Sequence, residues 1–251
     1  MARKKRGVLR AGTSGWSYGH WRGVLYPPEA KPAEFFGHYA RVFRTAEINS
    51  SFYHAPRAET FRKWAAAAPD GFVFAVKAHR SVTHEGRLEG VETKWHAFVS
   101  NALELGGKLG PLLVQLPPSL RCRTELLEAF LDQHRRAFGD AVRLVFEFRH
   151  ASWFEGGAAE LLRRHGAAMA IADSSRYPRA PLECAGPFAY LRFHGPGALF
   201  ASSYSDEQLR EWAQRIREWL AQGMDVYAYF NNDAEGCAVR NALRLLELAG
   251  T

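Results

Sequence analysis

Short apolar segments recur along the chain, and each of them ends in a group of polar residues. Eight such segments are present: residues 9–14, 46–51, 72–79, 112–116, 144–149, 169–173, 189–194 and 226–232. Between most of them the apolar residues follow helical spacing, and this alternation is typical of parallel strands joined by crossover helices. Eight strand–helix units within 251 residues predict an α/β protein with a TIM-barrel-like (β/α)8 barrel as its single domain.

Some elements between the strands have clear boundaries. Ser205 and Gln208 have the spacing of a capping box, which predicts a helix that begins there. A short helix is predicted from about Trp153 to about His165. The long segment after the first strand, residues 16–31, is rich in Gly, Pro and aromatic residues, so we expect a loop at the rim of the barrel.

The polar residues at the strand ends predict where the chain acts. The C-terminal ends of the strands carry the chemistry of such barrels. Side chains two residues apart share one face of a strand, so Glu47 and Asn49 are expected to point together into the barrel mouth. Charged groups from several strands would each cost several kcal/mol to bury unless they were paired. This cost favours a functional site over a set of ion pairs that only fill space.

We assign two groups of residues to this predicted site. The candidate catalytic residues are Lys77, Glu147, Asp173 and His194. The candidate substrate-binding residues are Glu47, Asn49, Gln115, Arg149, Arg192, Asn231, Trp16, Tyr53 and Trp153. The three aromatic residues of the second group are expected at the rim, where they could stack on a base or a sugar ring.

Each catalytic candidate has a predicted role. Glu147 or Asp173 would be the general base, and His194 the general acid. Lys77 has several interpretations. It could lose its proton in the low-dielectric barrel and act as a base or Schiff-base amine, or it could stay charged and bind phosphate. It could equally form a salt bridge with Glu47 or Glu147, since buried lysines need a partner.

The cations near these carboxylates favour an anionic ligand. Arg149, Arg192 and Lys77 would hold a phosphate, and barrels often bind phosphate after their seventh strand, where Arg192 lies. His194 and the carboxylates could together hold a divalent metal ion, but no local ligand spacing supports this. We therefore assign no metal ligand, and the sequence requires no cofactor.

The charge of the chain is unevenly distributed. Lys and Arg number 33 against 26 Asp and Glu, which gives a net charge of +7. A run of Lys and Arg lies within the first six residues, so residues 1–7 are predicted to be a basic disordered tail and residues 8–251 the barrel domain. Such a tail could bind nucleic acid or act only as a solubilising terminus.

The remaining composition favours a cytoplasmic protein. The 3 cysteines are far apart, and no C-x-x-C pair indicates a zinc site or an iron–sulfur cluster. A low cysteine count suits the reducing cytosol. No signal peptide is recognisable and no apolar segment reaches membrane-spanning length, so no membrane partner is expected.

The motifs at the strand ends also resemble those of a known family. They are residues 12–16, residues 47–53, Lys77 with Thr83 and His84, residues 115–118, residues 147–150 with Trp153, residues 192–195 and residues 229–233. Together they resemble the signature of domain-of-unknown-function family 72, the YecE-like proteins, over nearly the whole chain and in the same order. The resemblance implies a TIM-barrel-like fold and a bacterial or archaeal intracellular protein. It implies no established reaction.

Two hypotheses on function follow. The first is an enzyme that acts on a phosphate-bearing substrate (nucleic acid, nucleotide or sugar phosphate), with hydrolysis as the simplest reaction. The second is a non-catalytic barrel that binds a nucleic acid or a metabolite. A barrel fold alone does not choose between them.

Overall fold

Eight parallel strands form a nearly closed barrel, which confirms the predicted fold class. The computed structural model describes residues 5–184, 186–197 and 199–250. The strands are β1 (Leu9–Thr13), β2 (Thr45–Ile48), β3 (Val73–Lys77), β4 (Leu109–Gln115), β5 (Leu144–Glu147), β6 (Ala168–Asp173), β7 (Ala189–Phe193) and β8 (Val226–Phe230). Each strand overlaps its predicted segment, and the polar residues that follow the strands lie in the loops at the barrel mouth.

The barrel closes where β1 meets β2. The eight strands are hydrogen-bonded in the order β1-β8-β7-β6-β5-β4-β3-β2, which leaves a gap between β1 and β2. One parallel bridge, between Ser14 and Glu47, crosses this gap. The N–H of Gly15 donates to the carbonyl of Glu47 at 2.8 Å. A Cβ at Gly12 would lie 2.4 Å from the carbonyl oxygen of Thr45, so only glycine allows the two strands to approach this closely. We call this junction the β1–β2 seam.

Helices cover the outside of the barrel. They are α1 (Phe35–Val42), α2 (Ala58–Ala67), α3 (Glu92–Ala102), α4 (Thr124–Phe138), α5 (Ser152–Glu155), α6 (Ala158–Arg164), α7 (Asp206–Ala221) and α8 (Cys237–Ala249). The predicted capping box is present at the start of α7, where Ser205 and Gln208 exchange two hydrogen bonds. The single helix predicted near Trp153 is instead divided into α5 and α6, because Gly157 has a φ of 77° that interrupts a helix.

The two faces of the strands pack into two separate cores. Outward side chains such as Val76, Val114 and Phe146 pack with the helices. The inward side chains form a second cluster: Val73, Ala75, Leu113, Val145, Ala168, Ala170, Phe188, Tyr190, Tyr227 and Tyr229. This apolar and tyrosine-rich filling closes the lower lumen. The polar inward residues therefore gather above it, at the C-terminal ends of the strands.

The start of the described chain is attached to the barrel. The N–H of Gly7 donates to the carbonyl of Leu220 at 2.9 Å, and the N–H of Val8 donates to Oδ1 of Asp225 at 2.9 Å. Residues 1–4, which carry part of the predicted basic tail, lie outside the described residues. Within the described part of the chain, no helix is both long and apolar enough to cross a bilayer.

Candidate active site

The guanidinium of Arg192 is the centre of a buried ionic cluster. Its Nη2 and Nε donate to Oε1 and Oε2 of Glu47 at 2.7 and 3.0 Å. Its Nη1 donates to Oε2 of Glu147 at 2.5 Å. All three side chains are at most 1% exposed, so this cation and these two carboxylates must satisfy one another. Charge-assisted, bidentate contacts of this kind are among the stronger hydrogen bonds in proteins.

Glu147 also accepts hydrogen bonds from the ends of β4 and β5. Nε2 of Gln115 and Nε of Arg149 donate to its Oε1 at 2.8 and 3.0 Å. Burial alone would raise the pKa of Glu147, but the guanidiniums of Arg192 and Arg149 hold the pKa well below its usual range. An ionised carboxylate with three donors is a poor proton acceptor. This geometry favours a role in holding the two arginines over the predicted role as general base.

Glu47 is held by two hydroxyl groups that the sequence analysis did not identify. Ser14 Oγ donates to Oε1 of Glu47 at 2.6 Å, and the hydroxyl of Tyr190 donates to Oε2 at 2.6 Å. Tyr190 lies two residues before Arg192 on β7, so strand alternation could have placed it on the same inward face. Ser14 follows β1 directly at the seam.

His194 lies buried beside this cluster. Its Nε2 is 3.9 Å from Oε1 of Glu147, and Nδ2 of Asn231 is 3.2 Å from its Nδ1. Burial and the neighbouring charge of Arg192 lower the pKa of His194 to about 3. The ring is therefore neutral at neutral pH, and this environment disfavours the protonated form that the predicted role of general acid requires.

A cavity of about 590 Å³ opens above the cluster, and we call it the cationic cavity. Its charged lining residues are Lys77, Arg80, Arg149, Arg176, Arg192 and Asp233. Arg80 pairs with Glu85 at 2.9 Å, and Arg149 and Arg192 are paired within the cluster. In the described part of the chain, neither Lys77 nor Arg176 lies within 4.0 Å of a carboxylate oxygen. The cavity is therefore electropositive.

Among these lining residues, Lys77 has a pKa far below that of an ordinary lysine. Its Nζ lies 4.1 Å from the centre of the Phe52 ring. Burial, together with the charge of Arg192, lowers the pKa of Lys77 to about 7. Of the alternatives for Lys77, the salt bridge to Glu47 or Glu147 does not form, because both carboxylates are bound to Arg192. Lys77 can therefore exchange a proton near neutral pH.

Asp173 is not brought to the cluster, so its predicted position was wrong. It shares its face of β6 with Met169 and Ile171, which pack in the outer core. Its Oδ2 accepts a hydrogen bond from Nε1 of Trp212 on α7 at 3.3 Å. Nη1 of Arg179 lies 3.7 Å from its Oδ1. Counting back in steps of two along β6 gives the outward face. The alternation of the strand therefore predicts the outward position of Asp173.

Trp153 is likewise absent from the rim, where it had been predicted. It lies at the start of α5, is 1% exposed, and stacks on Phe148 with ring centres 4.4 Å apart. Its Nε1 donates to the carbonyl of Leu120 at 2.8 Å. Phe148 belongs to the outer core, so Trp153 stabilises the packing of helices against the barrel and does not reach the cavity.

A second cavity, of about 510 Å³, lies beside the first, and we call it the aromatic cavity. Its lining residues are Gly15, Trp16, Ser17, Tyr18, Ile48, Asn49, Ser50, Tyr53 and Trp64. Trp16 and Tyr53 are thus at the rim, as predicted. Asn49, also predicted at the site, lines both cavities, as do Tyr18 and Tyr53.

Several lining residues of the cationic cavity come from loops. His84 was noted only as part of a family motif, and Arg80, Arg176 and Tyr177 were not identified as site residues. Arg80 and His84 belong to the loop after β3, in which residues 81–85 form one π-helical turn, and Arg176 and Tyr177 belong to the loop after β6. The Arg149 guanidinium lies 4.3 Å from the centre of the Tyr177 ring. Strand alternation identifies inward residues on strands, but it gives no direction for side chains in irregular loops.

The carboxylates of the buried cluster are already bound by other side chains and are poor candidates for metal ligands. Both carboxylates of the cluster are bound by arginine. Across the described residues, no group of three or more His, Cys, Asp or Glu side chains has the arrangement to hold a metal ion.

The fold and the site define this chain as a (β/α)8 barrel protein with an electropositive cavity at the C-terminal strand ends. It belongs to the family described as "Protein of unknown function DUF72", whose profile matches residues 10–251, and the resemblance inferred from the sequence is thereby confirmed. UPF0759 protein YunF of Bacillus subtilis (strain 168) is 26% identical over 271 residues, covering 96% of this chain and 94% of that protein. UPF0759 protein YecE of Escherichia coli (strain K12) is 26% identical over 208 residues, covering 72% of this chain and 73% of that protein.

Solved structures show the same fold. The DUF72 family protein TM1631 of Thermotoga maritima MSB8 matches with a TM-score of 0.82 and 29% identity, covering 97% of this chain and 100% of that one. A xylose isomerase domain containing protein of Salmonella typhimurium LT2 matches with a TM-score of 0.57 and 14% identity, covering 90% of this chain and 94% of that one. The second similarity extends to the barrel fold alone.

Proposed function

We propose that this chain is an enzyme that acts on a small phosphate-bearing molecule and that Lys77 is its proton-transfer residue. The observation that supports this proposal is the electropositive cavity lined by Lys77 and Arg176, for which the described part of the chain supplies no carboxylate partner. An anion in this cavity would pair with both cations. It would also favour the charged form of Lys77, whose pKa burial has lowered.

The arginines suit phosphate because a guanidinium presents a planar set of donors. Arg149 uses its Nε for Glu147, and its Nη atoms donate to no acceptor in the described part of the chain. The buried cluster beneath holds Arg149 in position through Glu147. A ligand would therefore meet donors that are already oriented, which lowers the cost of ordering them on binding.

Lys77 supplies the chemistry in this proposal. A neutral amine near neutral pH can accept a proton, and the resulting ammonium can return it. In a hydrolysis, the Lys77 ammonium would give its proton to the leaving-group oxygen as the bond from that oxygen to phosphorus breaks and the water oxygen bonds to phosphorus. The neutral amine would then take up the proton that the attacking water loses. Glu47, Glu147 and Arg192 would act as positioning residues beneath the substrate.

The test compares wild-type protein with Lys77→Arg on a panel of sugar phosphates and nucleotides, with release of inorganic phosphate as the readout. Arginine keeps the positive charge but does not lose its proton in proteins. Lys77→Arg should bind phosphate compounds, while kcat falls about a hundredfold or more. Arg179→Met is the matched control, because Arg179 is a cation of the loop after β6 that does not line the cavity. Wild-type kcat in Lys77→Arg would overturn the role of Lys77.

A non-catalytic binding protein is the second candidate. It is favoured by the cluster itself, since Glu47 and Glu147 are fully paired and His194 is neutral. In that case wild-type protein should bind phosphate compounds with a salt-dependent affinity and form no product. Short single- and double-stranded oligonucleotides would show whether the ligand is a nucleic acid. Deletion of residues 1–6 would separate binding by the basic terminus from binding in the cavity.

A further inference from the structure

The two cavities at the barrel mouth are adjacent and share three lining residues, but their linings differ in chemistry. The cationic cavity carries Lys77 and Arg176, neither of which has a carboxylate partner among the described residues. The lining of the aromatic cavity includes no charged side chain, and four of its residues are aromatic: Trp16, Tyr18, Tyr53 and Trp64. Tyr18, Asn49 and Tyr53 line both. One molecule can therefore extend from one cavity into the other.

Part of the aromatic cavity is a rigid wall. The ring of Trp16 is packed against Phe36, Trp64 and Phe74 with ring centres 5.1, 5.7 and 5.8 Å apart. The Tyr18 hydroxyl donates to the carbonyl of Ser14 at 2.7 Å. Aromatic side chains that are held in place in the free protein lose little conformational entropy when a ligand packs against them.

Tyr53 differs from these residues because its ring is exposed. It follows β2 and is 64% exposed, and its ring contacts Phe52 with ring centres 5.0 Å apart. Because Tyr53 lines the same cavity as the fixed aromatic residues, a flat ring bound there could contact both. Stacking of this kind tolerates different rings, because it depends on the face of the ring and not on a pattern of hydrogen bonds.

Asn49 lies where the two cavities meet. Its Oδ1 is buried and accepts no hydrogen bond from any described residue. Buried polar atoms without a partner are uncommon in folded proteins. A hydroxyl or N–H group of a ligand at this junction would satisfy Oδ1 once the Asn49 side chain turns this oxygen toward the cavity.

We propose that the site takes a molecule in which a phosphate is joined to an uncharged ring. The phosphate lies in the cationic cavity, the ring lies in the aromatic cavity between Trp16 and Tyr53, and Asn49 binds a polar group at the junction. This inference rests on the proposed function, because the phosphate fixes one end of the molecule. The ring is a planar base or a sugar with an apolar face, and both share the chemistry that the aromatic cavity recognises.

The test is calorimetric titration with three phosphate compounds. Glycerol 3-phosphate has no ring, glucose 6-phosphate carries a sugar ring, and uridine 5′-monophosphate carries both a sugar and a base. Wild-type protein should bind at least one ring compound about tenfold tighter than glycerol 3-phosphate. The compound with the higher affinity identifies the kind of ring.

Two substitutions at Tyr53 assign that preference to the aromatic cavity. Tyr53→Ala removes an exposed ring, and the ratio of affinities for ring and ringless phosphates should fall to about threefold or less. Tyr53→Phe is the matched control, since it keeps the ring and should keep the ratio. Lys77→Met should weaken binding of all three compounds.

The outcomes separate this inference from the proposed function. Equal affinity of wild-type protein for all three compounds would overturn the ring site and leave the phosphate site standing. A ring preference that persists in Tyr53→Ala would also overturn it. No binding of any phosphate compound would overturn both proposals.

Discussion

Arg192 and Glu47 are joined by three hydrogen bonds across the lumen of the barrel, with Nη2–Oε1, Nε–Oε2 and Nε–Oε1 distances of 2.7, 3.0 and 3.2 Å. They lie on β7 and beside the seam on β2, which are not neighbours in the sheet. The pair therefore connects strands that no backbone hydrogen bond joins directly. Glu147 extends the connection to β5.

Removing the cation at this point should destabilise the protein strongly. Arg192→Met leaves two buried carboxylates without the guanidinium that they share, and breaking a buried pair in this way costs about 3–5 kcal/mol. Unfolding in urea, followed by circular dichroism, measures the free energy. Arg210→Met is the control, since it breaks the exposed pair with Asp206 and should cost about 1 kcal/mol or less. A comparable cost for both substitutions would contradict the importance of the buried cluster.

Lys77 should make stability depend on pH. Its pKa is lowered from 10.5 to about 7 in the folded protein, so between these values the unfolded chain binds more protons and stability rises with pH. Lys77→Met removes this dependence. It should stabilise the protein relative to wild type at pH 6.5, by an amount on the order of 1–4 kcal/mol, and the gain should disappear by about pH 10.5.

The pH dependence can be measured by urea unfolding at several pH values. Lys94→Met on α3 is the matched control, because Lys94 is exposed and its loss should leave the free energy of unfolding near that of wild type. Equal effects of Lys77→Met at low and high pH would show that Lys77 keeps its ordinary protonation in the folded protein.

Gly12→Ala should weaken the β1–β2 seam. The new Cβ would lie 2.4 Å from the Thr45 carbonyl oxygen and 2.8 Å from the Tyr39 hydroxyl. Both belong to well-packed parts of the barrel, so relief of the clash should cost about 1–3 kcal/mol or more. Gly37→Ala provides the comparison: Gly37 lies in α1 with nothing within 4 Å of its Cβ, and alanine should stabilise a helix there by about 0.5–1 kcal/mol. The midpoint temperatures of thermal unfolding should shift in opposite directions from that of wild type, down for Gly12→Ala and up for Gly37→Ala.

Asp173→Asn should leave phosphate binding nearly unchanged. Its side chain contacts Trp212 on the outer side of the barrel, and asparagine retains an oxygen that can accept the same hydrogen bond. Arg149→Met should instead weaken binding of glycerol 3-phosphate by about tenfold or more, because it removes oriented donors from the cavity wall. Titration calorimetry measures the affinity of both variants for glycerol 3-phosphate. A large loss of affinity in Asp173→Asn would show that Asp173 contributes to ligand binding.

The sequence was sufficient to predict the barrel and most of the cluster. Apolar segments with period two and helices with period 3.6 determine the alternation of elements, and the capping box of Ser205 located the start of α7. Inward alternation correctly grouped Glu47, Glu147 and Arg192 at one end of the barrel. These features depend on local spacing, which a single sequence contains.

The partners of these charges depended on distances across the lumen, which local spacing does not contain. Lys77 and Arg192 both had the charge to bind Glu47 and Glu147. Arg192 binds both carboxylates, so Lys77 forms a salt bridge with neither of them. Trp153 was misplaced because α5 turns its ring toward the outer core. Arg176 and Tyr177 lie in an irregular loop, whose direction follows from tertiary packing.

Glu47 has two roles that make binding and barrel closure inseparable. Its carbonyl accepts the N–H of Gly15 at the seam, and its carboxylate accepts Ser14 Oγ from β1's end as well as the guanidinium of Arg192. A partly assembled chain in which β1 has not docked lacks the contacts that Gly15 and Ser14 make with Glu47, so the carboxylate that positions Arg192 is held less firmly. Within any preparation of this protein, the fraction of molecules that takes up ligand should therefore equal the fraction whose first strand has completed the barrel.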